Sequence, residues 1–150
     1  MTKFFNLAFA VFFIAAVFRG CGPAAPASGA AEEETAVQSS PHLEEIDVDM
    51  AYSLYAQKGE QCFFIDVRTL QEYTTGHIDG AVNIPLAQIK DRMDEIPQGK
   101  SIIVYCDGEG CARSGRAARI LIENGFGPVY DIGGGGIIEW MYKDYPHIRQ

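Results

Sequence analysis

Apolar residues along this chain come in short bursts, and the bursts alternate between two spacings. Leu43 to Ile46 reads as a short strand. Asp47 can then cap a helix that turns Met50, Ala51, Leu54 and Tyr55 to one face and stops at Gly59. Cys62 to Val67 is a continuous apolar run with one polar position, as expected of a buried strand. Thr69 to Thr74 predicts a short helix ended by Gly76, and Ala81 to Ile84 a strand stopped by Pro85. Leu86, Ile89, Met93 and Ile96 predict the inward face of a helix ended by Pro97. Ile102 to Tyr105 is a second buried strand, followed by a Gly-rich loop. A helix carrying Ala117, Ala118, Ile120, Leu121 and Ile122 comes next and ends at Gly125. Val129 to Ile132 gives a last strand and Ile137 to Tyr142 a last helix. Strands alternating with helices predict an α/β fold, with a mainly parallel central sheet of about five strands and helices on both faces.

The first forty residues follow a different pattern. Met1-Thr2-Lys3 is a short basic start, and Phe4 to Phe18 is apolar except for Asn6. That run suits a signal-peptide core and falls short of the ~20 residues that span a bilayer. Phe18-Arg19-Gly20-Cys21 resembles a bacterial lipobox, with Phe18 and Arg19 departing from it. The resemblance implies lipidation of Cys21; an uncleaved signal anchor and ordinary cleavage remain the alternatives. Residues 21–40 are rich in Ala, Pro, Gly and Ser and read as a flexible tether. The expected organisation is a signal peptide at 1–20, the tether at 21–40 and one folded domain at 41–150. The expected location is exported, on the periplasmic or cell-surface side, as a membrane-anchored lipoprotein. The net charge is −8, and removal of residues 1–20 would make it more negative. That excludes nucleic acid as an expected partner and argues against a charge-driven grip on anionic lipid. Nothing in the sequence assigns an oligomeric state.

The candidate chemistry sits at Cys106. It falls where a buried strand ends and a loop climbs to a helix N-terminus, and open α/β sheets place their chemistry at such ends. Loop N–H groups, the helix start and the charges of Arg113 and Arg116 favour a thiolate there.

Three stretches resemble the rhodanese-like sulfurtransferase domains over about residues 42–146. Phe64-Ile65-Asp66-Val67-Arg68, Glu72-Tyr73 and Gly76 to Pro85 are similar to the family's first signature. Val104-Tyr105-Cys106, followed by Arg113-Ser114, resembles its active-site loop. Gly133 to Gly136, then Ile137-Ile138-Glu139-Trp140, resembles its closing motif. The resemblance implies Cys106 as catalytic nucleophile, with Asp107, Gly108, Glu109, Gly110, Cys111, Ala112, Arg113 and Ser114 as the substrate-binding loop. Six residues separate Cys106 from Arg113, where the family usually has two fewer and related phosphatases one fewer. A two-residue expansion with Arg113 in the arginine's place fits the following helix; the other alignment puts Cys111 in that place.

The activity implied is transfer of a sulfane sulfur from a small donor such as thiosulfate to a thiol or cyanide acceptor. The sulfur would ride as a transient persulfide on Cys106, with no cofactor. A Cys-dependent phosphatase or arsenate-reductase-like oxyanion enzyme, and a non-catalytic persulfide- or anion-binding module, are the competing readings. Cys111 is a candidate resolving thiol, because the two glycines before it allow the loop to fold back. Asp66 and Arg68, with Glu72, read as a structural ion-pair network near the site. His77 reads as a structural histidine in a turn, Gly133 to Gly136 as one wall of the pocket, and Cys62 as a buried, inert thiol. With His42, His77 and His147 far apart, no metal site is expected.

Overall fold

A computed structural model describes residues 42–149. The signal-like segment, the tether and Cys21 lie outside the described residues. Among those described, no helix is long and apolar enough to cross a membrane.

Five parallel strands form the central sheet, in the order β1-β6-β5-β2-β4. They are β1 (Leu43–Ile46), β2 (Cys62–Asp66), β4 (Val82–Asn83), β5 (Ser101–Tyr105) and β6 (Val129–Ile132). The helices are α1 (Val48–Lys58), α2 (Leu70–Thr75), α3 (Arg113–Glu123) and α4 (Gly136–Tyr142). Alternation along β5 sorts the core into two layers. Ile102, Val104 and Cys106 join Ile65, Ala117, Ala118 and Leu121 on the α3 side. Ile103 and Tyr105 join Phe64, Val48, Ala51, Ile137 and Trp140 on the side of α1 and α4. The expected five-stranded sheet with helices on both faces is what the chain forms. Trp140 anchors the second layer: it is fully buried, and its indole N–H donates to the Pro146 carbonyl at 2.9 Å.

The local signals place most elements. Asp47 caps α1, its carboxylate accepting from the Met50 amide at 2.7 Å. Thr69 and Glu72 form a reciprocal capping box at the start of α2. Other expectations need correction. Met50 is 52% exposed, not inward; the buried stripe of α1 runs through Val48 and Ala51, with Tyr52 and Tyr55 partly buried below them. Leu86 to Ile96 is two 3₁₀ turns, Leu86–Gln88 and Met93–Glu95, rather than one helix. Each turn brings residues three apart together, which a 3₁₀ turn does as well as an α-helix. Ile89 and Ile96 are still buried. Between the turns, Arg92 leaves helical geometry and donates to the Asn83 carbonyl. Gly76 and His77 do not simply end a helix: β3 (Gly76–Ile78) pairs antiparallel with β7 (His147–Arg149) in a separate two-stranded sheet. His77 is thus a strand residue, its ring stacked on Tyr73 and its Nδ1 2.9 Å from the Tyr73 carbonyl oxygen. Cys62 is half-buried rather than buried, and its thiol donates to the Leu54 carbonyl at 3.8 Å.

Candidate active site

Cys106 is the first residue beyond β5, the middle strand of the sheet, and is 1% exposed. A sulfur at that depth is packed, not displayed on a surface loop. Its Sγ lies 3.4 Å from the Ser114 Oγ, so the first turn of α3 already touches it. Ala112 precedes α3 and supplies no capping side chain. The orphan N–H groups of that first turn therefore have no side-chain acceptor of their own, which suits an anion at the loop.

The Gly133 to Gly136 run is the opposite wall. Ile137 and Ile138 donate their amides to the carbonyls of Cys106 and Asp107, both at 3.0 Å. This close approach requires glycine at two places. Gly136 has φ 50°, and a Cβ there would come within 2.6 Å of the Asp107 carbonyl carbon. Gly108 has φ 156°, and a Cβ there would lie 2.7 Å from the Gly135 carbonyl oxygen. The loop start and the α4 start thus hold each other.

The loop then turns back. The Cys111 amide donates to the Gly108 carbonyl at 3.0 Å, and Cys111 is joined to Cys106 by a disulfide, with Cα atoms 6.5 Å apart. Gly110, Glu109 and Ala112 are exposed at the mouth.

Arg113 opens α3, in register with the expanded-loop alignment, but its guanidinium points to carboxylates. It donates to Glu72 Oε2 at 2.9 Å and Oε1 at 3.0 Å, and pairs closely with Asp107. Its Nε–H also reaches the Cys111 sulfur at 3.5 Å. The expected trio of Asp66, Arg68 and Glu72 is therefore split. Asp66 and Arg68 bond to each other in the interior, at 2.6 Å between Nη2 and Oδ2. Glu72 belongs to Arg113. Burial works against the Arg68 charge, yet the hydrogen bond and charge of Asp66 outweigh it and raise its pKa. Outside that buried pair, the carboxylates of Glu72 and Asp107 face the one guanidinium of Arg113, so the mouth is not a cationic funnel. Arg116, expected to add charge near the thiol, is exposed on α3.

The hydrogen bond from Arg113 holds the Glu72 carboxyl at about 2, against a burial effect that would raise it and with help from Thr69. Its ordinary value is 4.5. A folded value below the unfolded one stabilises the fold fully above about pH 4.5, and this stabilisation is lost as pH falls toward 2. Glu72→Gln should therefore lower stability at neutral pH and lose less of it on acidification than the parent. Urea denaturation midpoints measured across that range check this; parallel pH curves for the two proteins would contradict it.

Asp131 escaped the sequence reading, although a carboxylate inside the apolar run Val129 to Ile132 was the available signal. Its Oδ1 is buried with no hydrogen-bond partner, and its Oδ2 lies 3.0 Å from where a Gly115 Cβ would be. Burial pushes its pKa up, with the Glu45 charge adding to the rise; the Ser114 hydroxyl and the Arg119 charge pull it down. A carboxyl of reduced acidity thus stands behind the serine that touches Cys106.

The rhodanese-like domain model matches residues 48–141, and the chain belongs to that family. Among its relatives, the Bacillus subtilis protein YqhL, itself uncharacterised, is 48% identical over 71 residues, covering 47% of this chain and 55% of YqhL. A protein of Allochromatium vinosum named as a sulfurtransferase is 36% identical over 87 residues, 58% of this chain and 78% of that one. Among solved structures, the BH2092 protein of Bacillus halodurans superposes with a TM-score of 0.64 at 28% identity, covering 71% of this chain and 77% of that one. The chain thus spans about half the length of YqhL and most of the sulfurtransferase. Relatives named as sulfurtransferases are thus among the members of the family to which the chain belongs.

Proposed function

We propose that this domain is a sulfurtransferase that carries a sulfane sulfur as a persulfide on Cys106. It takes that sulfur from a donor such as thiosulfate and gives it to a thiol or cyanide. The observation that carries the reading is the seat of Cys106, buried at the end of the central strand and touching an α3 N-terminal turn that no side chain caps. Once an external dithiol has reduced the bridge to Cys111, the Cys106 thiolate attacks the outer sulfur of the donor, the donor's S–S bond breaks with sulfite leaving in the case of thiosulfate, and the loop and α3 amides hold the anionic persulfide. The acceptor then attacks that outer sulfur and regenerates the thiolate. A phosphate ester is a poorer fit, because its phosphoryl group would have to be held by Arg113, which is already shared between Glu72 and Asp107, whereas a persulfide needs only the loop and α3 amides. Sulfite release from thiosulfate in the presence of cyanide, set beside a phosphatase assay, tests the reading. Phosphatase activity without sulfite release would reverse it.

The same charge balance makes thiosulfate a weak donor. Asp107 competes for Arg113 and lies 3.7 Å from the Arg68 guanidinium as well. Asp107→Asn should lower the KM for thiosulfate by about 5-fold, equivalent to the ~1 kcal/mol of one half-exposed ion pair. The gain should shrink as salt is raised. A KM unchanged by the substitution and insensitive to salt would contradict this.

A further inference from the structure

The sulfur of Cys111 is bonded to the sulfur of Cys106, which would be the inner sulfur of a Cys106 persulfide. We propose that Cys111 is a resolving thiol that reduces this persulfide inside the chain, so that the domain releases the transferred sulfur as sulfide. The inference rests on the persulfide reading above.

Three observations on the loop carry it. The fold itself brings the two sulfurs together: Gly108 packs against Gly135, the Cys111 amide closes the turn onto the Gly108 carbonyl, and the bridge spans Cα atoms 6.5 Å apart. That separation lies within the range disulfides adopt. Next, the only side chain hydrogen-bonded to the Cys111 sulfur among the described residues is Arg113, whose Nε–H donates to it at 3.5 Å. Its Nη groups are taken by Glu72 and Asp107, but this Nε–H remains aimed at the sulfur, and a hydrogen bond donated to it favours the thiolate, which is the attacking form. Finally, the exposed Glu109 and the half-exposed Asp107 stand at the mouth and slow the approach of an anionic external thiolate, while Cys111 is the nucleophile nearest to Cys106.

The chemistry balances within the chain. Cys111 gives its proton to solvent, and its thiolate attacks the inner sulfur of Cys106–S–SH. The Cys106–Cys111 bond forms, the bond between the Cys106 sulfur and the outer sulfur breaks, and that sulfur leaves as HS⁻ with the electron pair. The sulfane sulfur is reduced to sulfide, and the two cysteine thiols are oxidised to the disulfide. An external dithiol then reduces the bridge and is itself oxidised to a disulfide, which resets both thiols. Transfer to an outside acceptor differs in the atom attacked: there the outer sulfur is taken, and no bridge forms.

A single turnover separates the steps. The reduced chain, freed of reductant, is mixed with excess thiosulfate and no thiol or cyanide. Sulfite reports loading of Cys106, and a sulfide electrode reports resolution. The expected result is one sulfite and one sulfide per chain, at a sulfide rate per chain that does not change with protein concentration, with the protein ending in the bridged form. Cys111→Ser should end instead with the mass of one added sulfur and no sulfide. Sulfite from the wild-type chain, with the added sulfur retained and no sulfide, would overturn the resolving role and leave the sulfurtransferase standing. A sulfide rate per chain that climbs with protein concentration would also overturn it, since resolution would then be between chains. Neither sulfite nor added sulfur would sink both readings. The wild-type measurement decides the matter even if the variant folds poorly.

Discussion

Cys106→Ser is expected to reduce sulfur transfer by roughly 10⁴-fold or more, to the floor of the assay, as loss of a covalent nucleophile does elsewhere. A serine hydroxyl cannot hold a sulfane sulfur, and no described side chain but Cys111 offers a second thiol at the loop. The substitution should not unfold the domain, though its cost is not zero. Cys106 is 1% exposed and packs with Val104, Ala117 and Ala118, so a hydroxyl enters an apolar layer. The neighbouring Ser114 Oγ gives it one hydrogen-bond partner, which limits the loss to about 1–2 kcal/mol. The bridge to Cys111 is lost as well, but it joins residues only five positions apart and constrains little of the unfolded chain. The check is twofold: steady-state sulfite release for activity, and circular dichroism with thermal melting for the fold. Activity retained in Cys106→Ser would move the nucleophile to Cys111.

The parts of this molecule legible in the sequence were those whose signals are local. Asp47, Pro85 and Gly125 each punctuate an element through bonds or torsions within a few residues, and each boundary fell close to where they put it. The run of Ile102 to Tyr105 before two glycines placed Cys106 at the end of a central strand. What stayed hidden depends on partners far away in the chain. The three-residue pairing of β3 with β7 joins Gly76 to Arg149 and is too short to show a strand period. Glu72 looked like a partner of Arg68 because it is close in sequence, whereas its partner Arg113 is 41 positions on. The 86–96 segment failed for a different reason: its spacing of apolar residues fits both a helix and two 3₁₀ turns, and either buries Ile89 and Ile96. The spacing of Cys106 and Cys111 allowed a bridge without requiring one; the packing of Gly108 against Gly135 is what brings Cys111 back over Cys106.

Asp66→Asn is expected to cost about 3–5 kcal/mol, the largest stability loss from any single polar substitution near the site. The Asp66 side chain is fully buried, and that of Arg68 is 7% exposed. The carboxylate accepts from the Arg68 amide at 2.9 Å, from Nε at 3.0 Å and from Nη2 at 2.6 Å. An asparagine keeps the volume and one acceptor but removes the charge, leaving a buried guanidinium whose remaining carboxylate is the more distant Asp107, beside neutral acceptors such as the Gly76 carbonyl at 2.6 Å. Arg68 cannot neutralise itself by losing a proton, because its pKa is too high. The strain should therefore appear as unfolding, or as a guanidinium pulled toward solvent with the β3 edge it holds through Gly76. In thermal melts the loss should read as a drop of upwards of about 10 °C for a domain of this size. The second arm is Asp66→Asn with Arg68→Met. Removing the stranded charge should recover a large part of the loss, since the penalty lies in the unpaired ion and not in the absence of the pair. A single-variant loss below about 1 kcal/mol, or a double variant no better than Asp66→Asn, would show that the ion pair does not hold this end of the sheet together.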